Sequence, residues 1–149
     1  MKEDRVERMR KAYLKVEALS RSLRERVAGV PSENLERWIP EMGEQFEAFR
    51  AHCVKHMSLE EADGYMTSVV DCRPGLSCEV DRLQHEHKEL LQIFDSIHRR
   101  LAGLTATDRL LVRECCHRIN SLLDYIDRHE KDENLLITSA FTQDIGSSD

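Results

Sequence analysis

The chain has 149 residues, of which 34% are charged and only 5% aromatic, and 28 acidic against 22 basic side chains leave a net charge of −6. That length suits one domain over residues 1–149, and the scarcity of Gly, Pro and aromatics favours long amphipathic helices over strands, so an all-α protein is expected. The basic side chains are scattered rather than gathered on a face that follows phosphates, and no apolar run approaches the roughly 18 residues of a membrane span. Neither nucleic acid nor a membrane is an expected partner.

In the first segment, Lys2 to about Val27, Val6, Met9, Tyr13, Val16, Ser20, Leu23 and Val27 recur at alternating steps of three and four, the spacing of one helix face. Gly29 and Pro31 end it. Pro40 is well placed in a first turn, so a second helix is expected to become continuous after it, with a stripe of Phe46, Phe49, Cys53, His56, Glu60 and Asp63. Residues 64–77, with Gly64, Pro74 and Gly75, read as a loop, and Ser77 as the N-cap of a third helix. That helix carries Val80, Leu83, His87, Leu90, Phe94, Ile97 and Leu101 in line and stops near Gly103. Thr105 and Asp108 have the spacing of a capping box and open a fourth, with Ile119, Leu122, Ile126, His129, Glu133 and Leu136 along one face. The tail from about Thr142 to Asp149 reads as a surface extension. Short connections predict an antiparallel, up-down-up-down four-helix bundle.

The chain repeats itself internally. Laying the second half over the first puts Val80 on Val6, Leu83 on Met9, Leu90 on Val16, His129 on His56 and Glu133 on Glu60. From His87 to His129 is 42 residues and from Tyr13 to His56 is 43, so Tyr13 occupies the place of His87. An approximate two-fold axis would then bring two HxxxE pairs together at one level, with His87 and Tyr13 at the sides. A lone core histidine is usually only a hydrogen-bonded residue, but two carboxylates and three imidazoles on core stripes without Lys or Arg are costly to bury unless a cation joins them. A spacing of four also aims His and Glu at one point. Imidazole and carboxylate donors without thiolate suit iron, with zinc, manganese or nickel as poorer alternatives, and carboxylates able to bridge favour two ions. Five side chains do not saturate two six-coordinate ions, which leaves positions for solvent or an added ligand.

The residues His56-Met-Ser-Leu-Glu60-Glu61, then Glu86-His87, then His129-Glu-Lys-Asp-Glu133 resemble the hemerythrin-like, or HHE cation-binding, family over nearly the whole chain, to about Phe141. The resemblance implies a hemerythrin-like four-helix bundle with a non-haem diiron centre, two irons per chain. It makes Glu60 and Glu133 bridging carboxylates and His56, His87 and His129 terminal ligands. It further implies binding, sensing or detoxification of O2, NO or peroxide, handling of iron, or a role in the stress response. Two departures stand out. The family's usual first-helix histidine is replaced by Tyr13, and the second third-helix histidine of the oxygen-carrying branch by Leu91. Tyr13 is accordingly a candidate ligand, Glu17 an alternative one, and His52 and its repeat partner Tyr125 candidates for orienting the ligands or admitting a small molecule.

The five cysteines, Cys53, Cys72, Cys78, Cys115 and Cys116, are odd in number and lack CxxC pairs, the pattern of thiols in a reducing compartment. With a charged N-terminus that lacks the apolar stretch of a signal peptide, this predicts a cytoplasmic protein. Cys72 and Cys78 flank the expected loop, where a reversible disulfide is conceivable. His85, His98 and His117 read as surface residues. The ligand set permits catalysis without indicating it. The competing interpretation is a metal-free helical interaction or phosphotransfer module using His85 or His87.

Overall fold

The computed structural model describes residues 2–62 and 64–146, with side chains over 7–61, 64 and 66–140. The described residues are helical nearly throughout, in five helices: α1 (Lys2–Ala28), α2 (Leu35–Ala62), α3 (Tyr65–Cys72), α4 (Ser77–Ala102) and α5 (Arg109–Gly146), with a short 3-10 turn at Pro74–Leu76. No helix among them is long and apolar enough to cross a membrane. The expected positions of Val6 and Asp63 on the core stripes, and residues 147–149, lie outside the described side chains or residues.

α1 stops where expected, the amide of Gly29 closing on the carbonyls of Glu25 and Arg26 at 3.1 and 3.2 Å. α2 begins earlier than Pro40 suggests. Asn34, at φ 62°, accepts from the amides of Arg37 and Trp38, both at 3.2 Å, and the helix runs through Pro40 as its sixth residue. The reason is burial: Leu35, Trp38, Ile39 and Met42 fall on one side of this turn, and all are buried. Their removal from water offsets the backbone bond that proline cannot donate.

The expected loop of residues 64–77 contains a helix. Gly64, at φ 68°, turns the chain, and α3 then buries Met66 and Val69 against Met9, Val80, Leu83, Leu136, Ile137 and Ala140. Ser77 is the first residue of α4 rather than its cap. The Asp108 carboxylate does reach back to the Thr105 amide at 2.9 Å, but the helix starts one residue beyond, with the Asp108 carbonyl taking the Val112 amide at 2.8 Å. Asp108 therefore stands at the N-cap of α5. The tail expected from Thr142 is helical to Gly146, so α5 is 38 residues long.

α1 packs on α2 and α5, α4 packs on α2 and α5, and α3 touches α2, α4 and α5. Arg82 with Asp132 and Arg100 with Glu114 show that α4 and α5 run in opposite directions. The apolar core falls into two clusters. The larger joins Val16, Leu23, Phe46, Phe49, Leu90, Phe94, Ile119, Leu122 and Ile126, with Phe94 lying 5.8 and 5.9 Å from the rings of Phe46 and Phe49. The smaller is the group gathered around α3. Along α4 the step from Leu83 to Leu90 passes from one cluster to the other through His87, and along α5 the step from Ile126 to Leu136 passes through His129 and Glu133. A polar layer thus lies between two apolar ones.

A buried carboxylate and imidazole centre

Three of the long helices supply that layer. α2 contributes His56 and Glu60, α4 contributes His87, and α5 contributes His129, Glu130 and Glu133; all six are less than a tenth exposed. Two groups of donor atoms form, each with its members within 4.8 Å of one another: His87, His129 and Glu133, and His56, Glu60, Glu130 and Glu133. Glu133 belongs to both. Its Oε2 lies 3.1 Å from His129 Nε2 and 3.4 Å from His87 Nε2. Glu60 also faces two ways: Oε1 approaches His56 Nε2, and Oε2 lies 3.4 Å from His87 Nε2.

Despite this closeness, His56 Nε2, His129 Nε2, both oxygens of Glu60 and Oε1 of Glu133 have no aligned hydrogen-bond partner. Buried polar atoms are ordinarily paired, and leaving one unpaired costs about 1–3 kcal/mol. Here the atoms gather about two points, those of each group within 4.8 Å of one another, and no buried Lys or Arg is present among the described residues to neutralise them. Cations at those points would satisfy all of them, so the donor set fits a metal.

The outer nitrogens of the rings are held. His129 Nδ1 is 2.8 Å from Glu86 Oε1, and His87 Nδ1 is 3.4 Å from Glu61 Oε1. A ring that gives its Nδ1 proton to a carboxylate presents a bare Nε2 inward, the tautomer that ligation requires. Glu86 and Glu61, adjacent to His87 and Glu60 in sequence, thus act on the outer edges of the imidazoles. Glu86 is itself anchored by Arg82 at 2.9 Å.

The protonation pattern follows from crowding. Burial alone would lower His56 and His87, but the carboxylates of Glu130, Glu60 and Glu133 outweigh it and raise both to about 10. His129 is raised for the same reason, by Glu133 and Glu86. Burial would also raise Glu60, yet its imidazole neighbours bring it down to about 2, whereas burial and the adjacent Glu60 raise Glu133. With both raised to about 10, His56 and His87 hold protons in the metal-free chain at neutral pH, and ions there would displace them.

The five residues singled out from the repeat, His56, Glu60, His87, His129 and Glu133, come together. Glu130 joins them unexpectedly. A signal for it exists: Cys116, Leu123, Glu130 and Ile137 follow at steps of seven and are all buried, a second row beside the stripe of Ile119, Ile126 and Glu133. Tyr13 is half-buried on α1, its phenol pushed up by burial and by the carboxylates of Glu17, Asp127 and Glu130. Glu17 faces outward, 3.5 Å from Arg21. His52 has a buried, unpaired Nε2 and is lowered by burial and by the charges of Lys15 and His56. Tyr125 is 51% exposed and lines a surface cleft with His129. His85 and His117 are exposed and His98 half-buried beside Glu47. All five cysteines are unpaired, with Cys53, Cys115 and Cys116 buried.

Compared with known proteins, the chain matches no family model, no curated protein and no solved structure.

Proposed function

We propose that this chain is a non-haem iron protein of hemerythrin-like architecture, a four-helix bundle of α1, α2, α4 and α5 with two metal positions joined by Glu133 and Glu60. The observation that carries the reading is the shared carboxylate: one buried side chain, 1% exposed, belongs to two separate groups of converging donors. In that reading His56, Glu60 and Glu130 hold one ion with Glu133, while His87 and His129 hold the other. The cyclic packing of the four long helices supports the bundle, and the burial of His87, 1% exposed, supports a ligand role over a phosphorylated one.

Iron at such a centre supplies open coordination positions and accessible redox states, which suits binding, sensing or detoxifying O2, NO or peroxide. The chain's own part is to hold the donors, to fix the tautomers of His87 and His129 through Glu61 and Glu86, and to keep the layer dry between the two apolar clusters.

The test is elemental analysis of protein expressed in iron-replete medium, with an absorption spectrum of the same sample. About two irons per chain are expected, falling to one or none in Glu133→Ala. A wild-type chain without metal, refractory to reconstitution with ferrous iron, would refute the proposal.

A further inference from the structure

A second recess lies at the end of the bundle away from the buried centre. α1 stops at Ala28, and Arg24, one turn earlier, pairs with Asp124 and Asp127 at 2.7 and 3.1 Å. α5 starts at Arg109, so its first turns run on beyond the end of α1, and the loop after α1 and the start of α2 form the facing wall. Between them is a cavity of about 530 Å³, a size that suits a small molecule. Its floor is apolar: Val27, Leu35, Val112 and Cys116 line it, each less than a tenth exposed. Its rim is cationic. Arg109, Arg113, Cys116 and Asn120 follow one another on α5 at steps of four, three and four, the spacing of one helix face, with His117 beside them.

The arginines of this face are not neutralised by the chain. Acidic side chains outnumber basic ones by 28 to 22, yet no carboxylate lines the cavity. The clefts between α4 and α5 and between α1 and α2, by contrast, include Glu86, Glu114 and Glu25. Glu114, next to Arg113 in sequence, is turned to Arg100 and Arg118 at 3.5 and 3.3 Å. Among the described residues the side chains of Arg109, Arg113 and Asn120 have no hydrogen-bond or ion-pair partner. Two like charges one turn apart repel each other. Asp108 caps α5 but is held by Thr105, and the first turn itself contains no acidic residue to meet the positive end of the helix. An anion at the rim would relieve both, and the buried floor beneath it would be covered by an apolar body. Guanidinium groups grip a carboxylate through paired N–H donors.

We infer that this cavity binds an aliphatic monocarboxylate, its carboxylate on Arg109 and Arg113 and its chain on Val27, Leu35, Val112 and Cys116. Walls from α1, the loop and α5 suit one molecule entering a recess rather than the plane of a bilayer. From Arg113 to His129 is 16 residues of one helix, about 24 Å, so the site stands apart from the carboxylate and imidazole centre and does not rest on metal binding.

Isothermal titration of the full chain with decanoate, below its micellar concentration, tests this. One decanoate per chain is expected. Decanol, which has the chain without the charge, and acetate, which has the charge without the chain, should each bind about tenfold more weakly or worse. Arg109→Gln and Arg113→Gln, both at exposed positions, should each weaken decanoate by about tenfold and leave decanol unchanged. Arg128→Gln, at another exposed position of α5, should bind decanoate like wild type. Circular dichroism checks that the variants keep the wild-type helix content, and amide chemical-shift changes should fall on residues 27–35 and 109–120. No decanoate binding, equal affinity for decanol or for inorganic phosphate, shifts confined to the α4/α5 cleft, or a loss in Arg128→Gln instead of Arg113→Gln would overturn the inference. Sedimentation with phosphatidylserine vesicles that Arg113→Gln abolishes would assign the rim to a lipid headgroup and overturn it as well.

Discussion

Glu86 is outside the converging donors, yet its position governs what His129 presents to them. With Nδ1 held at 2.8 Å by a carboxylate that Arg82 grips from the other side, the ring is fixed in both rotation and tautomer. Glu86→Gln removes the charge while keeping the shape, and a neutral amide is a weaker acceptor for the Nδ1 proton. Metal affinity at the group of His87, His129 and Glu133 should fall by about 10- to 100-fold. Competition against a chromophoric chelator gives the affinity. An unchanged value would reduce Glu86 to a surface partner of Arg82.

At the level of elements, α2 shows local preference giving way to burial. Pro40 withdraws one amide from the ladder, leaving the carbonyl of Glu36 without its helical donor, yet the turn forms because Trp38, Ile39 and Met42 need to be covered. Pro40 itself is exposed, so Pro40→Ala leaves the core untouched and restores the missing bond. The variant should gain on the order of 1 kcal/mol or more in urea denaturation and bind the same number of metal ions. A loss of stability would mean that proline earns its place by restricting the unfolded chain more than it costs the helix. α3 obeys the same logic. Eight residues are too few to hold a helix in water, and Met66 and Val69 make it one by docking on α4 and α5.

For the whole molecule, the buried layer ties stability to pH. His56 and His87 move from 6.5 in an unfolded chain to about 10, so their contribution to the metal-free fold is complete below about pH 6.5 and is lost as the pH rises through 10. Glu60 moves from 4.5 to about 2, so its contribution is present above 4.5 and is lost as the pH falls toward 2. Glu133 is raised, and its contribution, like that of the histidines, declines with increasing pH. The metal-free chain should therefore melt highest between about pH 4.5 and 6.5, as thermal denaturation in the presence of chelator would show. Metal binding should move that optimum toward neutral and alkaline pH, because ions replace the protons on His56 and His87. The displaced protons are measurable directly. Calorimetric titration at pH 7 in buffers of different ionisation enthalpy should show net proton release on metal uptake, and a heat independent of buffer would contradict the protonated histidines.

The periodicity of each helix could be read one segment at a time, because burial of a helix face imposes a spacing of three and four whatever the partner. Hence every apolar residue placed on the stripes of α4 and α5 is buried, and His56, Glu60, His87, His129 and Glu133 stand on the inward faces. The repeat went further and set both HxxxE pairs at one level. What it missed depends on how helices meet. Glu130 lies one residue off the stripe, and only the packing of α5 against α1 as well as α4 makes that second row an inner one. α3 is bounded by Gly64 and Pro74 and is shorter than the span that periodicity resolves, so its helix comes from docking rather than from propensity. The kinds of donor and their approximate level were thus determined by sequence, through the chemistry of side chains and the pitch of a helix. Their grouping into two clusters that share Glu133 was decided by the tertiary structure, because which carboxylate two groups share is set by distances between helices and is written in no single one of them.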